Sequence, residues 1–173
     1  HLEQMWGKKK FIFFYLSTGF GAAALQLLLY YYQIDYVNTA LNELGLTNPD
    51  INNFYSTAEL PTSAINEIGE GSLSSAFNAY RSVMVGASGA LYGVLVGFAM
   101  LFPNAQLMLL FPPIPVKAKF LVPILIFADL FFGFSSYSIG PIAHFAHVGG
   151  AITGLAMMWY WKKNQFDNNR WDS

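Results

Sequence analysis

Apolar positions in this chain do not alternate with polar ones but gather into four long runs, Phe11 to Tyr32, Ser82 to Phe102, Val116 to Phe134 and Pro141 to Trp161. The runs are about 19 to 22 residues long, and beyond Lys117 and Lys119 at the opening of the third they hold one charged residue, Asp129. At a rise of about 1.5 Å per residue, that length matches a hydrocarbon layer of roughly 30 Å. A segment crossing such a layer must satisfy its backbone hydrogen bonds internally, so each run reads as a helix. The pattern predicts an all-α membrane protein, a polytopic helical bundle with four transmembrane helices. Four buried helices of a soluble protein are the alternative, but soluble helices of this length carry a polar face.

The segments between the runs set an orientation. Lys8, Lys9 and Lys10 precede the first run, Lys117 and Lys119 open the third, and Lys162, Lys163 and Arg170 follow the fourth. In a four-helix serpentine these positions fall on one side, which the positive-inside rule makes cytoplasmic. Residues 33–81 carry six acids, Asp35, Glu43, Asp50, Glu59, Glu67 and Glu70, against the single Arg81, as expected of an external insertion. Leu60-Pro61-Thr62-Ser63 followed by Glu67 resembles a helix start, with Ile65 to Tyr80 expected to lie along the surface. Tyr30 to Tyr32 and Trp159 to Trp161 sit at run ends, where amphipathic rings favour the interface. The chain thus reads as one membrane domain over 1–173, multi-pass, with loop 33–81 outside. The tail from Asn164 is expected to fray, and the opening at His1 suggests a piece of a longer chain.

Composition narrows the chemistry. Only 11% of residues are charged against 54% hydrophobic, mean hydropathy is +0.38 and formal net charge is -1. Such a chain offers no basic footprint for nucleic acid, so its expected surroundings are the lipid bilayer and other membrane segments. With no cysteine there is no thiolate nucleophile, no Cys-based metal centre and no disulfide.

Polar side chains inside spans are costly, and each is a functional candidate. The second run contains Gly86-Ala87-Ser88-Gly89 with Tyr92 one turn on, the third contributes Asp129, and the fourth contains His144 and His147 followed by Gly150 and Gly154. Ser88 lies seven residues inside Arg81 and His147 six inside Pro141, which places both roughly 9 to 10 Å below the external edge. Ser88 and Tyr92 share a helix face, with Gly89, Gly93 and Gly97 roughly opposite; His147, Gly150 and Gly154 share another, whose small residues permit close helix approach. A serine hydroxyl needs a base to become a nucleophile, and a neutral imidazole suits that task near neutral pH. The expected chemistry is a Ser88-His147 dyad with Tyr92 supporting the ring and no third carboxylate required. Other readings stay open: the glycines as a packing patch, His144 and His147 as metal ligands with no further His or Glu nearby, and Asp129 as a proton relay or a hydrogen-bonded polar residue facing the bundle. No metal and no cofactor are expected.

Taken together, Gly86-Ala87-Ser88-Gly89, Tyr92, and His147 with Gly150 and Gly154 resemble the rhomboid family of intramembrane serine proteases. Leu2 to Gly7 is similar to the cytoplasmic end of that family's second span, with its Glu-x-x-x-Gly pattern. The resemblance implies that the four runs are the third to sixth spans of a six-helix core, about its C-terminal two thirds. It implies cleavage of transmembrane protein substrates near their external ends, Ser88 as nucleophile, His147 as general base and then acid, and the Tyr92 ring stacked under the histidine. It also implies a gate from Phe131 to Gly140 and a cap at Ser135 to Ser138 over a wet cavity. The family's oxyanion side chains, a histidine and an asparagine in its second span, have no counterpart here, and activity is expected to depend on such a region upstream. A protease ranks first, a rhomboid-like pseudoenzyme that binds transmembrane helices without cutting them second, and a small transporter or channel using Asp129 and the histidines a distant third. A bacterial inner membrane is the expected location.

Overall fold

The computed structural model describes residues 1–82, 87–108, 113–134 and 144–165. The described elements are helices α1 (Leu2–Trp6), α2 (Lys8–Glu43), α3 (Asn48–Thr57), α4 (Thr62–Ile68), α5 (Glu70–Arg81) and α6 (Ser88–Leu101), strands β1 (Gln106–Met108) and β2 (Pro115–Lys117), and helices α7 (Ala118–Phe134) and α8 (His144–Gln165). The all-α expectation holds apart from the small antiparallel β1-β2 hairpin, in which Leu107 pairs with Val116.

Helix boundaries depart from the apolar runs for local reasons. α2 does not stop at Tyr32, because no glycine or proline lies between that residue and Gly45. It ends where Gly45 takes φ 84 and the Leu46 N–H bonds back to the Leu41 carbonyl at 3.1 Å, a left-handed closure that a side chain would resist. α6 ends at Leu101 before Pro103, and α7 starts at Ala118 because Val116 and Lys117 belong to β2. Among the described residues only α2 is both long and apolar enough to cross a membrane on those criteria alone; α6 has 14 residues and α7 has 17.

The chain divides into two compact units, one formed by residues 1–26 and 86–173 and the other by Leu27–Val85. The second unit contains the segment read as an insertion at 33–81. It is a small helical fold with its own core, in which Val37 and Leu41 of α2 pack with Ile51, Phe54 and Tyr55 of α3, Ala64 of α4, and Leu73 and Ala76 of α5. The single surface helix expected over Ile65 to Tyr80 is two helices, broken at Gly69 (φ 87). Burial and the neighbouring Tyr80 push the Tyr55 hydroxyl up to about 12, while it donates to Asn38 Oδ1 at 2.9 Å.

The first unit is built inside out. On α2, Phe14, Thr18, Ala22 and Gln26 recur every fourth residue as a buried stripe that includes two polar side chains, while Phe13, Leu16 and Phe20 face outward. On α7 the outward stripe is Phe120, Ile124, Phe127, Phe131 and Phe134, and the buried positions are Ala118, Leu121, Val122 and Asp129. Large apolar groups outside and polar groups within reverse the arrangement of a water-soluble bundle and suit a lipid surround.

Candidate active site

α6 and α8 meet backbone to backbone, and this contact builds the site. A Cβ on Gly150 would overlap the Gly89 carbonyl, and one on Gly154 would lie 2.8 Å from Cα and O of Gly93. Only hydrogen at these positions lets the helices approach so closely. α2 closes the third side: Ala22 packs on Gly89, and the Thr18 hydroxyl donates to the Tyr15 carbonyl (2.9 Å) and reaches the Ala90 carbonyl of α6 (3.3 Å).

Ser88 is the first residue of α6 and is exposed. One turn further, the Tyr92 ring stacks on the His147 imidazole with centroids 4.3 Å apart and planes 5° from parallel. His147 is half-buried on the first turn of α8. Among the described residues no hydrogen bond joins Ser88 to His147; the ring's bonded neighbour is instead Asp129 of α7. Gly86 and the segment Ser135 to Gly140 lie outside the described residues.

Asp129 Oδ1 lies 3.0 Å from His147 Nδ1 and 2.7 Å from His144 Nδ1. An ionised carboxylate only accepts, so with Asp129 ionised each imidazole makes its contact by donating from Nδ1 to the same oxygen. Asp129 and His144 are 6% and 8% exposed, and His144 Nε2 is buried with no partner among the described residues. Chemically, this arrangement leaves His147 Nε2 as a lone-pair acceptor on a ring whose plane and tautomer are both held.

Sequence reading saw no further His or Glu beside the two histidines and grouped Asp129 with them only as a polar path, leaving it otherwise as a proton relay or a hydrogen-bonded residue facing the bundle. Asp129 supplies the third group, and the ligand-capable atoms of Asp129, His144 and His147 lie within 4.8 Å of one another. These three could hold a metal ion, but the separations of 2.7 and 3.0 Å are those of hydrogen bonds. Ligands on one tetrahedral ion stand roughly 3.3 Å apart, given metal-ligand bonds of about 2.0 to 2.2 Å. The link between Asp129 and the histidines was hidden because it spans 15 to 18 residues across two helices. Its one visible signal was an acid inside an otherwise apolar run, on the face opposite the phenylalanine stripe.

Comparison with known proteins places these residues in a family. Residues 62–164, which include Ser88, Tyr92, Asp129, His144 and His147, match the Rhomboid domain. Over 81 residues the chain is 35% identical to Rhomboid protein 1, mitochondrial, from Saccharomyces cerevisiae, a stretch covering 46% of this chain and 22% of that protein. The chain therefore spans only a minor part of the length of the curated relative it matches. No solved structure matches it. The domain match covers more than half of the chain and contains the whole cluster around His147, and the chain belongs to the rhomboid family of integral membrane proteins.

Proposed function

We propose that this protein is an intramembrane serine protease that cleaves transmembrane protein substrates, with Ser88 as nucleophile and His147 as general base. The observation that carries the reading is the parallel stack of Tyr92 on His147, one helical turn from Ser88 and level with the glycine contact of α6 and α8. His147 Nε2 takes the Ser88 Oγ proton as Oγ attacks a substrate carbonyl carbon. The resulting imidazolium gives that proton to the departing amine as the peptide C–N bond breaks, leaving an acyl-Ser88 ester. A water molecule, deprotonated by the same nitrogen, then hydrolyses the ester and returns the serine. Ser88 opens α6, where backbone N–H groups have no partner within the helix, so its own N–H is available to the developing oxyanion.

We place α2, α6, α7 and α8 as the membrane spans, with Lys8 to Lys10, Lys162 and Lys163 cytoplasmic and loop 33–81 external. The outward phenylalanines of α7 and the inward Asp129 support this reading. The test is the full-length protein, including the upstream region on which activity is expected to depend, in liposomes with a fluorogenic transmembrane substrate and a fluorophosphonate probe. Cleavage abolished by Ser88→Ala, with probe label on Ser88, is expected. Absence of label together with retained binding of transmembrane helices would overturn the protease in favour of a helix-binding pseudoenzyme.

A further inference from the structure

We propose that Asp129 is a positioning residue for His147 of the Ser88-His147 dyad and that His144 clamps its carboxylate; this rests on the protease reading above. An ionised acid on a membrane-embedded helix is retained only where several donors compensate its lost hydration. Asp129 has two imidazole N–H groups on one oxygen. The geometry divides the control of His147 between two neighbours. Tyr92 fixes the tilt of the ring by lying parallel to it, and Asp129 fixes rotation within the ring plane by accepting from Nδ1.

These constraints are independent, and together they leave Nε2 aimed in one direction with its lone pair free. The carboxylate also stabilises the imidazolium formed when the serine proton arrives, an interaction that is stronger in a water-poor interior than in solvent. His144 acts on the carboxylate rather than on substrate. Its Nδ1 bond to Oδ1 is the shorter of the two, its Nε2 has no described partner, and its ring leans on Phe132 with centroids 6.0 Å apart. Rotation of the Asp129 carboxyl would break both imidazole contacts, and His144 opposes that rotation.

The experiment compares the full-length protein, upstream region included, with its Asp129→Asn, Asp129→Ala and Asp129→Glu variants in liposomes, reading kcat, KM and the side-chain 15N signals of His147. The positioning role predicts that Asp129→Asn lowers kcat by about a hundredfold or more with KM within about twofold, because the amide can present N–H to Nδ1 and favour the wrong tautomer. Asp129→Glu recovers a measurable part of kcat, and wild-type His147 shows a protonated Nδ1 that is lost in Asp129→Asn. Wild-type kcat together with an unchanged tautomer in Asp129→Asn and Asp129→Ala would overturn the proposal. So would a stoichiometric bound metal in the wild type that disappears with Asp129, since the cluster would then be an ion site. An inactive, unlabelled wild type whose tautomer still depends on Asp129 would sink the protease and leave the positioning role standing, so the two failures are distinguishable.

Discussion

Two aromatic residues show how a neighbour sets what a side chain can do. The stack of Tyr92 on His147 is made by the ring, not the hydroxyl. Tyr92→Phe is therefore expected to retain kcat to within a few-fold, whereas Tyr92→Ala loses an aromatic contact worth about 0.5 to 1.5 kcal/mol, up to roughly tenfold in rate. Steady-state cleavage by the two variants, side by side, checks this. Tyr55 offers a test away from the membrane. Its folded value of about 12 stands above that of a free phenol, so its contribution to the stability of the Leu27–Val85 unit is intact below about pH 10. That contribution is lost as pH climbs through about 12, because the unfolded chain ionises first. Ultraviolet titration of phenolate should show a late component that Tyr55→Phe removes.

Among the elements, the crossing of α6 and α8 was the most legible part of the site. Glycines at 89 and 93 on one run and at 150 and 154 on the other announce a close approach by spacing alone, and the structure pairs Gly150 with Gly89 and Gly154 with Gly93. Gly150→Ala is expected to destabilise the fold by about 3 kcal/mol, the upper end for overpacking, because the obstructing atom is a backbone carbonyl that cannot rotate away. Gly71→Ala in α5, where nothing lies within 4 Å of the added carbon, should instead stabilise by roughly 0.5 to 1 kcal/mol. Thermal unfolding in detergent distinguishes the two signs. Less could be read where an element ends or where distant elements meet. Apolar runs report hydrophobicity, not termination, so Gly45 rather than Tyr32 closes α2, and a hairpin takes the start of the third run. The Asp129 contacts bring separate helices together, and nothing in the local pattern around Asp129, His144 or His147 encodes that meeting.

At the level of the whole molecule, two kinds of interior coexist in one chain. The unit of residues 1–26 and 86–173 puts Thr18 and Asp129 inside and Phe120, Phe127, Phe131 and Phe134 of α7 outside, whereas Leu27–Val85 buries leucine, isoleucine and phenylalanine as a water-soluble domain does. The acidic balance of residues 33–81 was readable as a non-membrane segment, but its packed core was not, because Val37 and Leu41 lie on a helix continuous with the first apolar run. Leu41 is fully buried in that core, and Leu41→Ala should cost about 2 to 5 kcal/mol. Limited proteolysis is expected to find new cleavage confined to residues 27–85 in that variant, with fluorophosphonate labelling of Ser88 unchanged.

The meeting of two imidazoles on Oδ1 of Asp129 makes one atom a common dependency. Damage to the two partners should therefore not accumulate. His144→Phe alone is expected to slow turnover, yet adding it to Asp129→Asn should change little, since the anchor it serves has already been removed. Such masking, measured as a coupling energy close to the full effect of His144→Phe, is the mark of residues arranged in series rather than side by side.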